Sequence, residues 1–273
     1  MNRFQTTGFG NIPPVVKNLL IINVLLLIAT YVLGNFGIDL VQKLGLFYFK
    51  SEYFSPYQFV THMFMHGGIA HLFFNMFALW MFGKVLESVW GSKRFLIYYF
   101  ITGLGAAALH TFVNWINLSS IENAANAFYN TPSPELFSTF IREYISNPNP
   151  EVYDFIASWS SNPANNEYIN HAVRLIEGAV KFKMNIPTVG ASGAVFGVLL
   201  AFGMLFPNTQ LMLLFPPIPI KAKYFVILYG ILELYLGVSQ QPGDNVAHFA
   251  HLGGMLFGFI LIKYWNKKGR SFY

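Results

Sequence analysis

Residues 188–206 read TVGASGAVFGVLLAFGMLF, a run without one charged side chain. Crossing about 30 Å of hydrocarbon takes roughly 20 mostly apolar residues in a helix, so this run is long enough to span a membrane. Its opening, Thr188-Val-Gly190-Ala-Ser192-Gly193-Ala194-Val-Phe196-Gly197, is crowded with small residues. In lipid such residues let helix backbones approach closely. Gly193 follows Ser192 directly, so the Gly-x-Ser-x-Gly elbow of soluble hydrolases is absent.

Five further windows of similar length flank it, at about 18–36, 69–86, 95–113, 222–239 and 246–265. The expected fold class is therefore all-α, a polytopic membrane protein with a bundle of six transmembrane helices. Composition agrees. Of 273 residues 54% are hydrophobic and 11% charged, against about a quarter charged in soluble domains, so one water-soluble core of this size is excluded. The chain has no Cys, which removes disulfides, thiolate catalysis and Cys-ligated metals together. The net charge of +5 comes without a long basic run, so nucleic acid is not an expected partner; the lipid bilayer is. The first window lacks a small-x-small cleavage pattern and reads as a retained helix.

Basic residues prefer short cytoplasmic loops. Sorted by segment parity, one side holds Arg3, Lys17, Lys84, Lys93, Arg94, Lys221, Lys223, Lys263, Lys267, Lys268 and Arg270 against Glu87 alone, while most acids fall on the other. This predicts a multi-pass protein, of the cell membrane, with both termini cytoplasmic. The organisation read from it is a cytoplasmic N-terminus (1–17), a membrane domain (18–268) and a cytoplasmic tail (269–273). A polar stretch at 117–183 reads as an extracytoplasmic helical insertion. Ser133-Pro134-Glu135, Asn149-Pro150-Glu151 and Asn165-Asn166-Glu167 each resemble a helix start. Leu136, Phe137, Phe140, Ile141, Tyr144 and Ile145 form one apolar stripe. Such an insertion packs on itself or lies on lipid headgroups; a lid or substrate-docking role is the alternative.

Polar groups inside spans are expensive and mark sites worth examining. The sixth window reads Val246-Ala-His248-Phe-Ala-His251-Leu-Gly253-Gly254-Met-Leu-Phe-Gly258, and the second region His62-Met-Phe-Met-His66-Gly-Gly-Ile-Ala-His71-Leu-Phe-Phe-Asn75. Gly254 and Gly258 form a small face which, against Gly193 and Gly197, would bring an imidazole towards Ser192. His71 and Asn75, four apart, share a helix face. Ser192, His251 and Asn75 fall about four to six residues inside three spans that run inward, so at 1.5 Å per residue they sit level. A serine hydroxyl needs a base within hydrogen-bond reach, and an oxyanion in low dielectric needs donors. The Asn75 amide, a His71 ring N–H and the Ser192 backbone N–H are candidates. No Asp or Glu is expected to orient His251, since Asp244 precedes the sixth span and Glu233 lies near the outer end of the fifth; the machinery reads as a Ser-His dyad. A zinc protease is disfavoured by the lack of His-Glu-x-x-His and Cys. No cofactor and no metal are expected.

At Gly190-Ala-Ser192-Gly193, Ala250-His251-Leu-Gly253-Gly254 and His71-x-x-x-Asn75, with Glu87-x-x-x-Gly91-Ser92, the sequence resembles the rhomboid family of intramembrane serine proteases. The likeness covers all six windows without the insertion. It implies a nucleophile at Ser192, a general base at His251 and oxyanion stabilisation by Asn75 and His71. His251 is preferred to His248 because the family's glycines follow its base by three and seven residues, as Gly254 and Gly258 do. The implied substrates are membrane proteins, cut near the outer end of a transmembrane segment beside a small residue. Phe196 stands where relatives often have Tyr, leaving ring stacking on His251 as its expected role. The alternative function is a catalytically inactive rhomboid-like scaffold that binds membrane proteins. Oligomeric state is not legible.

Overall fold

A computed structural model describes residues 12–212, 217–239 and 246–267. Residues 1–11, Asp244 and the tail at 269–273 lie outside the described residues, so the charges assigned to them have no structural counterpart. The chain divides into two units: residues 1–46, 55–110 and 187–273 form one, and residues 47–54 and 111–186 the other.

In the first unit α1 (Pro14–Gly34) starts at a proline, whose missing N–H is no loss in the first helical turn. Its next two amides are capped from far along the chain: the Glu87 carboxylate accepts from Val15 N–H at 3.0 Å and Val16 N–H at 2.8 Å. Glu87 is buried and also accepts from Ser92 Oγ at 2.7 Å. A negative charge at a helix N-terminus answers the orphan donors and the helix dipole together. Gly91, at φ +77°, turns the chain between α5 (Lys84–Trp90) and α6 (Ser92–Asn130). The Glu87-x-x-x-Gly91-Ser92 motif is thus a remote helix cap and a corner.

Short helices α2 (Leu40–Leu44) and α3 (Gln58–Thr61) precede α4 (Ile69–Ala78), which continues through a π-helical turn at Leu79–Gly83 into α5. His62 opens a single 3-10 turn, His62–Phe64, between α3 and α4. Its Nδ1 lies 2.8 Å from the Gln58 carbonyl, and its own carbonyl accepts from Gly190 N–H at 2.9 Å. α10 (Ser192–Leu205) is followed by two short strands, β1 (Gln210–Met212) and β2 (Pro219–Lys221), paired antiparallel with Leu211 opposite Ile220. This hairpin departs from a purely helical expectation. Then come α11 (Ala222–Ser239) and α12 (His248–Lys267). α10 packs chiefly against α12, and α11 lies against α12.

Among the described residues four helical stretches are long and apolar enough to cross a membrane: Pro14–Gly34, Ile69–Trp90, Ser92–Asn130 and Ala222–Ser239. Ser192–Leu205 is apolar but shorter. Large apolar side chains such as Leu25 on α1 and Ile227, Leu228 and Ile231 on α11 face outward. A water-facing surface would not carry such contiguous apolar area, whereas acyl chains solvate it. The protein is an integral membrane helical bundle.

Two expected boundaries moved. The fourth window does not begin as helix: Thr188 forms an isolated bridge with Leu46, and Gly190 adopts φ +132°, so the helix starts at Ser192. The third window was expected to end near residue 113, yet α6 runs to Asn130, about 58 Å at 1.5 Å per residue. Hydropathy falls after Val113, but no Gly or Pro interrupts residues 114–130. Loss of hydropathy ends a span, not a helix.

The second unit holds the last part of α6 with α7 (Pro134–Tyr144), α8 (Glu151–Ser161) and α9 (Asn166–Met184). Ser133 Oγ accepts from Leu136 N–H, Asn149 Oδ1 from Glu151 N–H and Asn165 Oδ1 from Glu167 N–H, so all three helix-start signals act as read. Phe128, Phe137, Phe140, Trp159 and Ile176 make a separate buried core.

Two predictions follow from this packing. Glu87→Ala strands buried donors of α1 and should cost about 2 kcal/mol, read as a lower thermal midpoint in detergent; an unchanged midpoint contradicts the capping role. His62 is buried, and that burial lowers its pKa from 6.5 to about 4 against the opposing hydrogen bonds to the backbone of Gln58 and Phe59. Between those values the unfolded chain binds a proton that the folded one refuses, so stability falls as pH drops through that window. His62→Asn keeps a donor without titrating, and its midpoint should fall less than the wild type's between pH of about 7 and about 5. Equal losses would contradict the assignment.

Candidate active site

Ser192 is the first residue of α10, and the segment before it is fixed from several sides. Leu46 and Thr188 exchange both backbone hydrogen bonds, at 2.9 and 2.8 Å, Thr188 Oγ1 lies 2.9 Å from His110 Nε2, and Gly190 N–H donates to His62. Gly190 has no tolerable substitute. Its φ of +132° strains any other residue, and a Cβ there would stand 2.9 Å from the His71 ring. The segment therefore delivers Ser192 to the start of a helix, whose first N–H groups have no intrahelical acceptor.

α12 meets this point with almost no side chain between. A Cβ on Gly254 would run into the Gly193 carbonyl, and one on Gly193 would run into Ala106. The expected pairing of small faces holds for Gly193 and Gly254. Gly197 and Gly258 instead both face α6: Gly197 lies against Thr102, and Gly258 against Tyr98 and Thr102. Tyr98 Oη donates to the Gly197 carbonyl at 2.8 Å, so the glycines of α10 and α12 also admit a third helix, α6.

With the backbones this close, His251 Nε2 lies 2.9 Å from Ser192 Oγ. The Phe196 ring stacks on His251 with centroids 4.1 Å apart and planes 6° from parallel, the packing expected of that position. His248, the other candidate base, points elsewhere: its Nδ1 lies 2.6 Å from Glu233 Oε2.

The expectation that no carboxylate orients His251 is wrong. Glu233 Oε2 lies 2.8 Å from His251 Nδ1, and Glu233, His248 and His251 are all buried. The sequence argument compared depths only among spans that run inward. α11 runs outward, so its last turns end level with the first turns of α12, where both histidines sit.

His71 borders the same place, and Asn75 follows it one turn along α4. The His71 ring lies against Gly190, and its Nδ1 accepts from Gly67 N–H at 3.4 Å, a tautomer that leaves a proton on Nε2. Asn75 is buried, and its Nδ2 has no hydrogen-bond partner among the described residues. An orphaned buried amide is costly unless something else uses it. His66, whose ring stands 5.0 Å from that of His71, has both nitrogens buried without partners among the described residues.

Glu233, His248 and His251 also bring ligand atoms within 4.8 Å of one another, near enough for one divalent ion. At 2.6 and 2.8 Å, however, the two Nδ1–carboxylate contacts are already complete as hydrogen bonds. An acid-base pair at Ser192, a fixed imidazole and unspent donors can together perform acyl transfer.

Comparison with known proteins meets this geometry. A model of the rhomboid domain matches residues 53–117 and 157–267. An uncharacterized mitochondrial rhomboid protein of Schizosaccharomyces pombe is 29% identical over 215 residues, covering 77% of this chain and 51% of that protein. RHOMBOID-like protein 4 of Arabidopsis thaliana is 26% identical over 197 residues, 72% of this chain and 31% of the relative. Rhomboid protease GluP of Bacillus subtilis is 44% identical over 48 residues, 18% of this chain and 10% of its own. The chain spans about half the length, or less, of these curated relatives. Other relatives carry mitochondrial or chloroplastic names, so the expectation of a cell membrane finds no support among them. With the domain match extending over more than half of its residues, the chain belongs to the rhomboid family.

Proposed function

We propose that this chain is an intramembrane serine endopeptidase that hydrolyses peptide bonds in or near transmembrane segments of membrane-protein substrates. The observation that carries the reading is the 2.9 Å contact between Ser192 Oγ and His251 Nε2 on two helices that meet through glycine.

In the proposed reaction Ser192 Oγ bonds to the scissile carbonyl carbon while its proton passes to His251 Nε2. The carbonyl π pair becomes an oxyanion, held by Asn75 Nδ2, His71 Nε2–H and the Ser192 backbone N–H. The oxyanion collapses, the C–N bond breaks, and the departing amine takes the proton from His251. Water then attacks the acyl-serine, giving its proton to His251, and Ser192 leaves with that proton. Each step moves one proton through one imidazole. Donors that are unspent in the resting site favour the transition state over the ground state, because they meet a full charge only there.

The substrate must offer an extended backbone, since a helix hides its carbonyls in hydrogen bonds; a Gly near the end of a transmembrane segment weakens the helix there. Six spans in the domain 18–268, both termini on the side of the basic loops, and a site opening to the opposite side complete the proposed arrangement. Oligomeric state plays no part in it.

A scaffold that binds membrane proteins without cutting them is the competing reading. It gives no reason for a serine and a histidine in hydrogen-bond contact between two helices. The two are separated with a reporter membrane protein whose transmembrane segment begins with Gly and Ala, mixed with the purified chain in liposomes. Ser192→Ala and His251→Ala should abolish cleavage, while Asn75→Ala should lower kcat about 10²-fold and leave KM nearly unchanged. Wild-type inactivity, or cleavage by Ser192→Ala, would overturn the proposal.

A further inference from the structure

Glu233 is the one acidic residue in an otherwise uncharged stretch of α11, Tyr224–Ser239, and it is only 4% exposed. An ionised carboxylate held away from water is costly unless donors compensate it. Two do so on a single oxygen: His248 Nδ1 at 2.6 Å and His251 Nδ1 at 2.8 Å. The helix packing is arranged to permit this. Gly230, Glu233 and Gly237 share the face of α11 turned to α12. A Cβ on Gly237 would press on His248 and Phe249 at 3.1 Å, and one on Gly230 on Met255 at 3.1 Å.

We infer that Glu233 is the positioning residue of this site: it fixes His251 as the Nδ1–H tautomer, and His248 holds the carboxylate in place as its second donor. The inference deepens the proposed protease and rests on that reading. Neutral imidazole has one proton to place. Donated from Nδ1 to Glu233, it leaves the Nε2 lone pair facing Ser192 Oγ, the form that can act as base. Without Glu233 both tautomers are open, and the one with the proton on Nε2 cannot accept the serine proton. When His251 becomes imidazolium, a carboxylate already at 2.8 Å meets the new charge without reorganisation. Phe196, stacked on the opposite aspect of the ring, prevents rotation out of this line. A simple helix-to-helix tether needs one histidine and places no demand on the nitrogen facing the serine.

The test uses the full chain in detergent, a fluorophosphonate probe, and 15N-histidine spectra in which His251 is assigned by the signal lost in His251→Asn. Wild type should show His251 protonated at Nδ1. Glu233→Gln, of equal size, should slow labelling about a hundredfold and mix the tautomers, with Glu233→Asp recovering part of the rate. Labelling of Glu233→Gln at the wild-type rate would overturn the inference while leaving the protease reading intact. Labelling of Ser192→Ala would instead overturn the protease reading. Should Glu233→Gln not fold, the wild-type spectrum alone decides, because a proton on Nε2 contradicts the role. Loss of wild-type labelling on chelation, restored by added zinc, would overturn it in favour of a metal at Glu233, His248 and His251.

Discussion

The absence of a side chain at Gly254 is the constraint on which the rest depends. Because α12 lies directly on the Gly193 carbonyl, a residue on one helix and a residue on another come within hydrogen-bond reach although neither side chain is long. Any Cβ at Gly254 would push α12 off α10, and a hydrogen bond that is good at 2.9 Å is gone about 1 Å further out. Gly197, Gly253 and Gly258, each against α6, extend the same requirement to a third helix. Close approach in lipid draws on van der Waals contact rather than hydrophobic burial, so the small residues both assemble the bundle and set the distance at which its polar groups meet.

Lipid also explains why the polar groups are so completely arranged. Glu87 is spent on two helix amides and a serine, Glu233 on two imidazoles, Thr188 on His110. There are exceptions among the described residues: Asn23 Oδ1, Tyr99 Oη, Asn75 Nδ2 and both nitrogens of His66 are buried without a partner. Asn75 is the one of these that sits a turn along α4 from His71, whose ring lies against Gly190.

How much was legible from sequence follows from which physical signal each feature leaves. Hydropathy and small-residue spacing are local, so the membrane class and the Ser192–His251 meeting could be read from residue types at fixed offsets, whereas the Phe196 stacking came from the family resemblance. Caps are local too, and Ser133, Asn149 and Asn165 each start a helix as written. Three things were not local. The end of α6 is set by packing rather than hydropathy: Leu118, Ile121, Ala125 and Phe128 enter the core of the second unit, so the chain stays helical to Asn130. The extended segment before Ser192 exists because Thr188 pairs with Leu46, a contact across the whole second unit in sequence. Glu233 reaches His251 only because α11 and α12 are antiparallel, which places the late turns of one beside the early turns of the other; a carboxylate judged by its own helix alone looked remote from the chemistry.

The central claim is that Ser192, activated by His251, forms a covalent bond to an acyl centre. The most direct measurement is the peptide mass spectrum of the wild-type chain after reaction with a fluorophosphonate. The account predicts one phosphonyl adduct, on the peptide containing Ser192, that is absent after prior acid denaturation. An adduct on another residue, or a native chain that takes up none, would contradict it.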